Sequence, residues 1–161
     1  MRALQMKTLP FFLAAVFGLA GLTIHSEASE ASALRKAAGI YEGTGRGSLV
    51  SLLGDGTASL PTSVRVPRST GAGWVRVDAR SVGDSIYSVP VTITKATVNA
   101  TGTRVTYQGR VTIPASYTSG FGTFSGSFTA VATLTGTPKL TITASASNGI
   151  ATVRVSFNGT K

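Results

Sequence analysis

From Ile40 to the end of the chain, apolar and polar residues alternate with a period of two, and Gly, Asn, Asp and Pro punctuate the runs. A strand puts successive side chains on opposite faces, so this pattern describes half-buried strands and leaves no room for crossover helices. The clearest instance is the C-terminal pair. Lys139–Ser147 reads KLTITASAS and Ile150–Phe157 reads IATVRVSF, with Asn148-Gly149 between them. Asn-Gly favours a two-residue hairpin, because both residues accept a positive φ. Such a loop pairs Ser147 with Ile150. It places Ala146–Ala151, Ala144–Val153, Ile142–Val155 and Leu140–Phe157 on one face, and Ser145–Thr152, Thr143–Arg154 and Thr141–Ser156 on the other. A slip of one residue would mix the two faces.

The same reading gives strands at 40–44, 48–53, 57–66, 73–80, 86–98, 103–113 and 123–135. Gly54-Asp55-Gly56 reads as a hairpin turn, and Pro90 marks an interruption or an edge. In 73–80, Trp74, Arg76, Asp78 and Arg80 oppose Val75, Val77 and Ala79, which leaves the inner face open. The expected fold is all-β: an antiparallel meander of roughly eight strands, closed as a barrel or folded as a sandwich. Closure would remove the edges that such apolar strands otherwise expose.

The first residues read differently. Arg2 and Lys7 precede an apolar run, LPFFLAAVFGLAGLTI, and then the small residues of HSEASEASA. This is the three-part layout of a secretory signal peptide, with an apolar run short for a membrane span. Cleavage fits after Ala28 or after Ala33. The expected organisation is a cleaved signal over 1–33, a short lead over 34–38 and one β domain over 39–161. The expected location is secreted, periplasmic or cell-surface, with no integral membrane segment after cleavage. The chain contains no cysteine, which excludes thiol catalysis, thiolate metal sites and a lipidated cysteine.

Removal of 1–33 takes away the single histidine as well. Ser–His and Cys–His nucleophile systems then have no base, and neither a Gly-x-Ser-x-Gly elbow nor a Ser-x-x-Lys pair is present. Four carboxylates remain beyond residue 33: Glu42, Asp55, Asp78 and Asp84. Asp55 and Asp84 follow glycine in turn-like sequences, and Asp78 lies between Arg76 and Arg80. No metal-ligand spacing appears, and Gly43-Thr-Gly45-Arg-Gly47 lacks the spacing of phosphate-binding loops. The expectation is a non-enzymatic protein with no catalytic residues, no metal and no cofactor. An atypical hydrolase pairing Glu42 with Asp78 or Asp84 is an alternative from another class.

Charge supplies a lead. Lys and Arg number 15 against 6 Asp and Glu, a formal net charge of +9. Arg65, Arg76, Arg80, Arg104, Arg110 and Arg154 fall on strands or their ends and form the expected anion-binding set. The expected partner is an acidic glycan or another polyanion. Nucleic acid fits less well, because the exposed faces lack stacking aromatics. The Thr-rich faces (Thr92/Thr94, Thr133/Thr135, Thr141/Thr143) are explained by strand propensity. The expected function is therefore an exported binding or structural domain that meets an anionic partner through a basic face. Gly39-Ile40-Tyr41 resembles the Gly-x-aromatic start of lipocalin-like barrels, over that tripeptide and with Tyr where that family has Trp. The resemblance is to the architecture, and it frames an alternative: a ligand-carrying barrel whose apolar interior is lined by Tyr41, Tyr107 and Phe124.

Overall fold

The structure is a computed structural model that describes residues 27–118 and 120–161. Most of the segment expected to be a signal, residues 1–26, therefore lies outside the described residues. A helix, α1 (residues 27–37), leads into eight antiparallel strands. These are β1 (Gly39–Ser51), β2 (Gly54–Val66), β3 (Gly71–Asp78), β4 (Ile86–Val98), β5 (Arg104–Ile113), β6 (Phe124–Thr133), β7 (Lys139–Ser147) and β8 (Ala151–Thr160). Each pairs with the next, and β8 pairs with β1, closing a barrel. The meander expected from the alternation is thus a barrel and not a sandwich. No described helix is long and apolar enough to cross a membrane.

Residue parity separates the two sides of the wall. Tyr41, Val64, Val75, Val91, Tyr107, Phe128, Ile142 and Phe157 face inward, and Ser, Thr and Arg occupy the alternate positions outside. This fixes the open question at β3: Val75 and Val77 point inward. Trp74, Arg76 and Asp78 point outward, with the Arg76 guanidinium 5.1 Å from the Trp74 ring centre.

Three details differ from the sequence reading, each for a local reason. The segments 40–44 and 48–53 belong to one strand, and the chain turns at Leu52-Leu53 while Gly54-Asp55-Gly56 lies within β2. Ser51 holds that turn: its Oγ donates to the Gly54 carbonyl at 2.8 Å and accepts from the Leu53 amide at 3.2 Å. The β7–β8 pair keeps its faces but shifts by two residues, so that Ser147 pairs with Thr152 and Ile142 with Phe157. Asn148 Oδ1 accepts from the amides of Ile150 and Ala151, and Ser147 Oγ donates to the Ala151 carbonyl, which stabilises a longer loop. On β8 the Phe157 ring lies over Gly159, where a Cβ would come within 2.3 Å of it. Finally, β4 runs through Pro90, which lies just beyond the β4–β5 ladder that starts at Val91. Its missing N–H costs that ladder nothing.

The barrel has two unlike ends. At one, α1 lies across the opening: Ala33 and Ala37 are buried, and Leu34 packs on the same core as Val105, Leu134 and Leu140. The Tyr41 hydroxyl donates to the Ala37 carbonyl at 2.7 Å, and Lys36 Nζ donates to the Leu134 carbonyl at 2.7 Å. At the other end, the β1–β2, β3–β4, β5–β6 and β7–β8 connections surround a mouth that no helix covers, where Phe124, Ala146 and Ala151 are buried. Basic residues outnumber acidic ones at the helix end (Arg35, Lys36, Arg65, Arg68, Arg104, Lys139 and Lys161 against Glu27, Glu30 and Glu42), whereas Asp55, Asp78 and Asp84 sit at the mouth with Arg80.

Candidate functional site

The interior is incompletely filled. A cavity of about 230 Å³ occupies the middle of the barrel and its mouth side. Its wall is almost wholly aliphatic and aromatic, including Leu60, Val77, Val111, Phe128, Ile142 and Val155. Small inward residues leave the space. Gly45 and Gly47 on β1, Ala58 on β2, and Ala144 and Ala146 on β7 stand where larger side chains would close it. At Gly47 an added Cβ would meet only the Arg154 carbonyl oxygen, 4.0 Å away.

Two uncharged polar residues, Thr62 and Tyr107, belong to its wall. Thr62 is buried, and its Oγ1 donates to the Leu60 carbonyl at 3.0 Å. Tyr107 is fully buried, and its hydroxyl has no hydrogen-bond partner among the described residues. Burial pushes the Tyr107 phenol well above its ordinary pKa, and Tyr41 is pushed up to about 12 for the same reason. Both hydroxyls stay protonated, because a phenolate in this apolar setting would lose its solvation. Of the three aromatics expected to line the interior, only Tyr107 does so. Tyr41 belongs to the packed floor beneath α1, and Phe124 closes the mouth side together with Ala146 and Ala151.

Access is set by one short ladder. The strands β2 and β3 pair only over Thr62–Arg65 and Trp74–Val77. Residues 54–61 of β2 therefore have no partner on that edge, and Ala58, which lines the cavity, is solvent-exposed. Around the mouth, large apolar side chains stand in solvent: Leu52 (96 % exposed), Leu53 (87 %), Val82 (68 %) and Ile150 (63 %), with Ile86 and Tyr117 beside them.

The six arginines of the expected anion set do not form one stripe. Arg65 and Arg76 stand diagonally across β2 and β3. Arg104 opens β5 at the helix end, six positions before Arg110. Arg80 is engaged with Asp78, Nη2 to Oδ2 at 2.6 Å and Nε to Oδ1 at 2.9 Å. That contact holds the Asp78 carboxyl at about 2. Arg154 has a neighbour the sequence reading passed over: Arg46, on the adjoining strand β1. The two flank a shallow outer groove across β6, β7, β8, β1 and β2 that carries Ser48, Thr57, Ser127, Thr143 and Ser156. Arg110 stands opposite Ser127 at the edge of this groove. The signal for Arg46 was its parity with Ser48 on a strand, hidden because Gly45-Arg46-Gly47 reads as a loop.

The carboxylates named for hydrolysis are dispersed. Glu42 is exposed on the outer face of β1. Asp78 is bound by Arg80, and Asp84 accepts from the Tyr87 hydroxyl and the Ser85 amide. No cluster of three potential metal ligands occurs among the described residues.

No protein-family model matches the chain, and no curated protein does. Among solved structures, a crystal structure from Bacteroides fragilis described as "a putative outer membrane protein" matches with a TM-score of 0.49 and 15 % identity. The match covers 80 % of this chain and 52 % of that one, so the chain spans about half the length of that protein.

Proposed function

We propose that this protein is an exported, non-catalytic barrel that carries a small apolar ligand in its interior. The observation that supports the reading is the cavity of about 230 Å³ and its apolar wall. Packed interiors have few voids larger than a water molecule. Sealed and empty, a void of this size would cost about 5 kcal/mol at about 24 cal/mol per Å³, comparable to the net stability of many domains. Water fills such space poorly, because it needs two to four polar partners. An apolar ligand removes the penalty, and an eight-stranded barrel is just wide enough to hold one. The exposed edge of β2 and the apolar rim offer a route inward. The wall polarity is the reverse of a membrane-spanning barrel, whose apolar band faces lipid, so the reading places the barrel outside the bilayer. The test is calorimetric titration of the purified chain with n-nonane and with a branched hydrocarbon too broad for the mouth. Saturable binding of n-nonane alone is expected, and no binding of either would overturn the proposal.

A second reading rests on the outer groove. Hydroxyls flanked by Arg46 and Arg154 suit a sulfated or carboxylated glycan, with guanidinium forks on the anions and hydroxyls on the sugar. Retention on heparin beyond that on a cation exchanger of equal charge density, lost in an Arg46→Ala/Arg154→Ala variant, would support it. Equal retention on both matrices would reduce the charge to a generic attraction.

A further inference from the structure

Building on the outer-groove reading, we infer that the groove is part of a longer cationic track whose ligand is a linear acidic glycan lying across the strands. Its anions meet Arg46, Arg154 and Arg110, and its sugar hydroxyls meet the serines and threonines between them. A third cation, a direction and a minimum length are thereby added to that reading.

The strand registers align these residues. From β5 round to β2, Arg110 pairs with Ser127, Ser127 with Ser145, Ser145 with Arg154, Arg154 with Ser48, and Ser48 with Thr57. All six stand on the outer face, in one row that crosses the strands. The neighbouring outer row runs from Gln108 to Ser59 through Thr129, Thr143, Ser156 and Arg46. Adjacent strands lie about 4.8 Å apart, so the backbones of Arg110 and Arg154 are about 14 Å apart along their row. Arg46 is one strand and one row from Arg154, at about 8 Å.

The composition of the rows defines the ligand. Neither carries a carboxylate, and Arg46, Arg110 and Arg154 make no ion pair among the described residues. A guanidinium without a protein counter-charge presents a fork of donors that fits sulfate or carboxylate. The hydroxyls between both donate and accept, which suits the hydroxyls of a sugar ring. Single-stranded nucleic acid binds through stacking aromatics, and neither row contains one. Length follows from the spacing. A disaccharide spans Arg46 and Arg154, whereas a chain must be longer to reach Arg110 as well.

Calorimetric titration tests the track with a heparin-derived octasaccharide, the matching disaccharide, and single-stranded DNA of the octasaccharide's charge. The proteins are the wild type, Arg110→Ala and Arg68→Ala, the last removing an exposed arginine at the helix end, outside the track. The wild type should bind the octasaccharide more tightly than the DNA. Arg110→Ala should weaken the octasaccharide about tenfold, the loss of a charge-assisted hydrogen bond, and leave the disaccharide as before. Arg68→Ala should leave both sugars nearly unchanged. If the octasaccharide fails to bind the wild type, or binds no more tightly than the DNA, the outer-groove reading itself falls. If it is preferred to the DNA but Arg110→Ala costs it no more than Arg68→Ala does, the track is refuted and the groove between Arg46 and Arg154 stands. Equal weakening of the disaccharide and the octasaccharide by Arg110→Ala would likewise refute the minimum length.

Discussion

Replacing Gly47 with valine tests whether the space inside the barrel is real. At that position a Cβ would find its nearest neighbour 4.0 Å away, and the backbone carries no positive φ that would strain a branched side chain. Relief of glycine's conformational freedom in a strand contributes about 0.5–1 kcal/mol. Three added carbons facing an apolar wall contribute about 0.8 kcal/mol for each one taken fully out of water, and Gly47 is only half-buried. A net stabilisation of about 2 kcal/mol follows, read as a raised urea midpoint at unchanged slope. The same variant should bind n-nonane at least tenfold more weakly, because the side chain occupies the ligand's place. Gly126→Ala is the contrasting control. Its Cβ would fall 1.9 Å from the Ser145 carbonyl oxygen, and this clash with backbone should cost about 3 kcal/mol or more. A Gly47→Val protein that is destabilised by over about 1 kcal/mol, or that binds n-nonane as before, would refute the open cavity.

Further predictions address the rest of the fold. Tyr41→Phe removes the donor to the Ala37 carbonyl beneath the plug and should lower stability by about 1–2 kcal/mol in chemical denaturation. A chain beginning at Leu34 loses Ala33 and most of α1, and should be about 1–2 kcal/mol less stable than one beginning at Ser29. The N-terminal mass of secreted protein should correspondingly report cleavage after Ala28, which keeps Ala33 and most of α1. Asp78, held at about 2 by the hydrogen bond from Arg80 and the nearby positive charge, is lowered relative to its ordinary 3.8. Its contribution is therefore present above that ordinary value and fades as pH falls through about 2. Carboxyl NMR should show a midpoint near 2, returning toward 3.8 in Arg80→Ala.

Much of this architecture is legible along the chain, because a strand's inner and outer faces are written in alternate residues. The parity of Ala144, Ile142 and Leu140 against Thr143 and Thr141 decided which face is buried without any knowledge of neighbours. Register is less legible. The Asn148-Gly149 pair offers a two-residue loop, yet the side chains of Ser147 and Asn148 bond a longer one, an energy difference no pattern of polarity records. The Leu52-Leu53 turn is hidden for a related reason: two exposed leucines stand at the tip, and the glycines beside them belong to the strand. The cavity is the least legible feature, since it is a deficit summed over Gly45, Gly47, Ala58, Ala144 and Ala146 on separate strands. Each is an ordinary small residue until closure places them round one space.

The two unlike ends give the molecule a polarity that a spherical count of charge conceals. Arg35, Lys36, Arg65, Arg68, Arg104, Lys139 and Lys161 outnumber Glu27, Glu30 and Glu42 at one pole, while the three aspartates outnumber Arg80 at the other, so an external field exerts a torque as well as a pull. In the field of an anionic surface this asymmetry favours the orientation with the helix end toward the surface and the mouth toward solution. Salt relaxes this orientation over about a Debye length, roughly 8 Å in physiological solution. In the proposed carrier, contact with an anionic surface and entry of the ligand fall to opposite poles of the barrel.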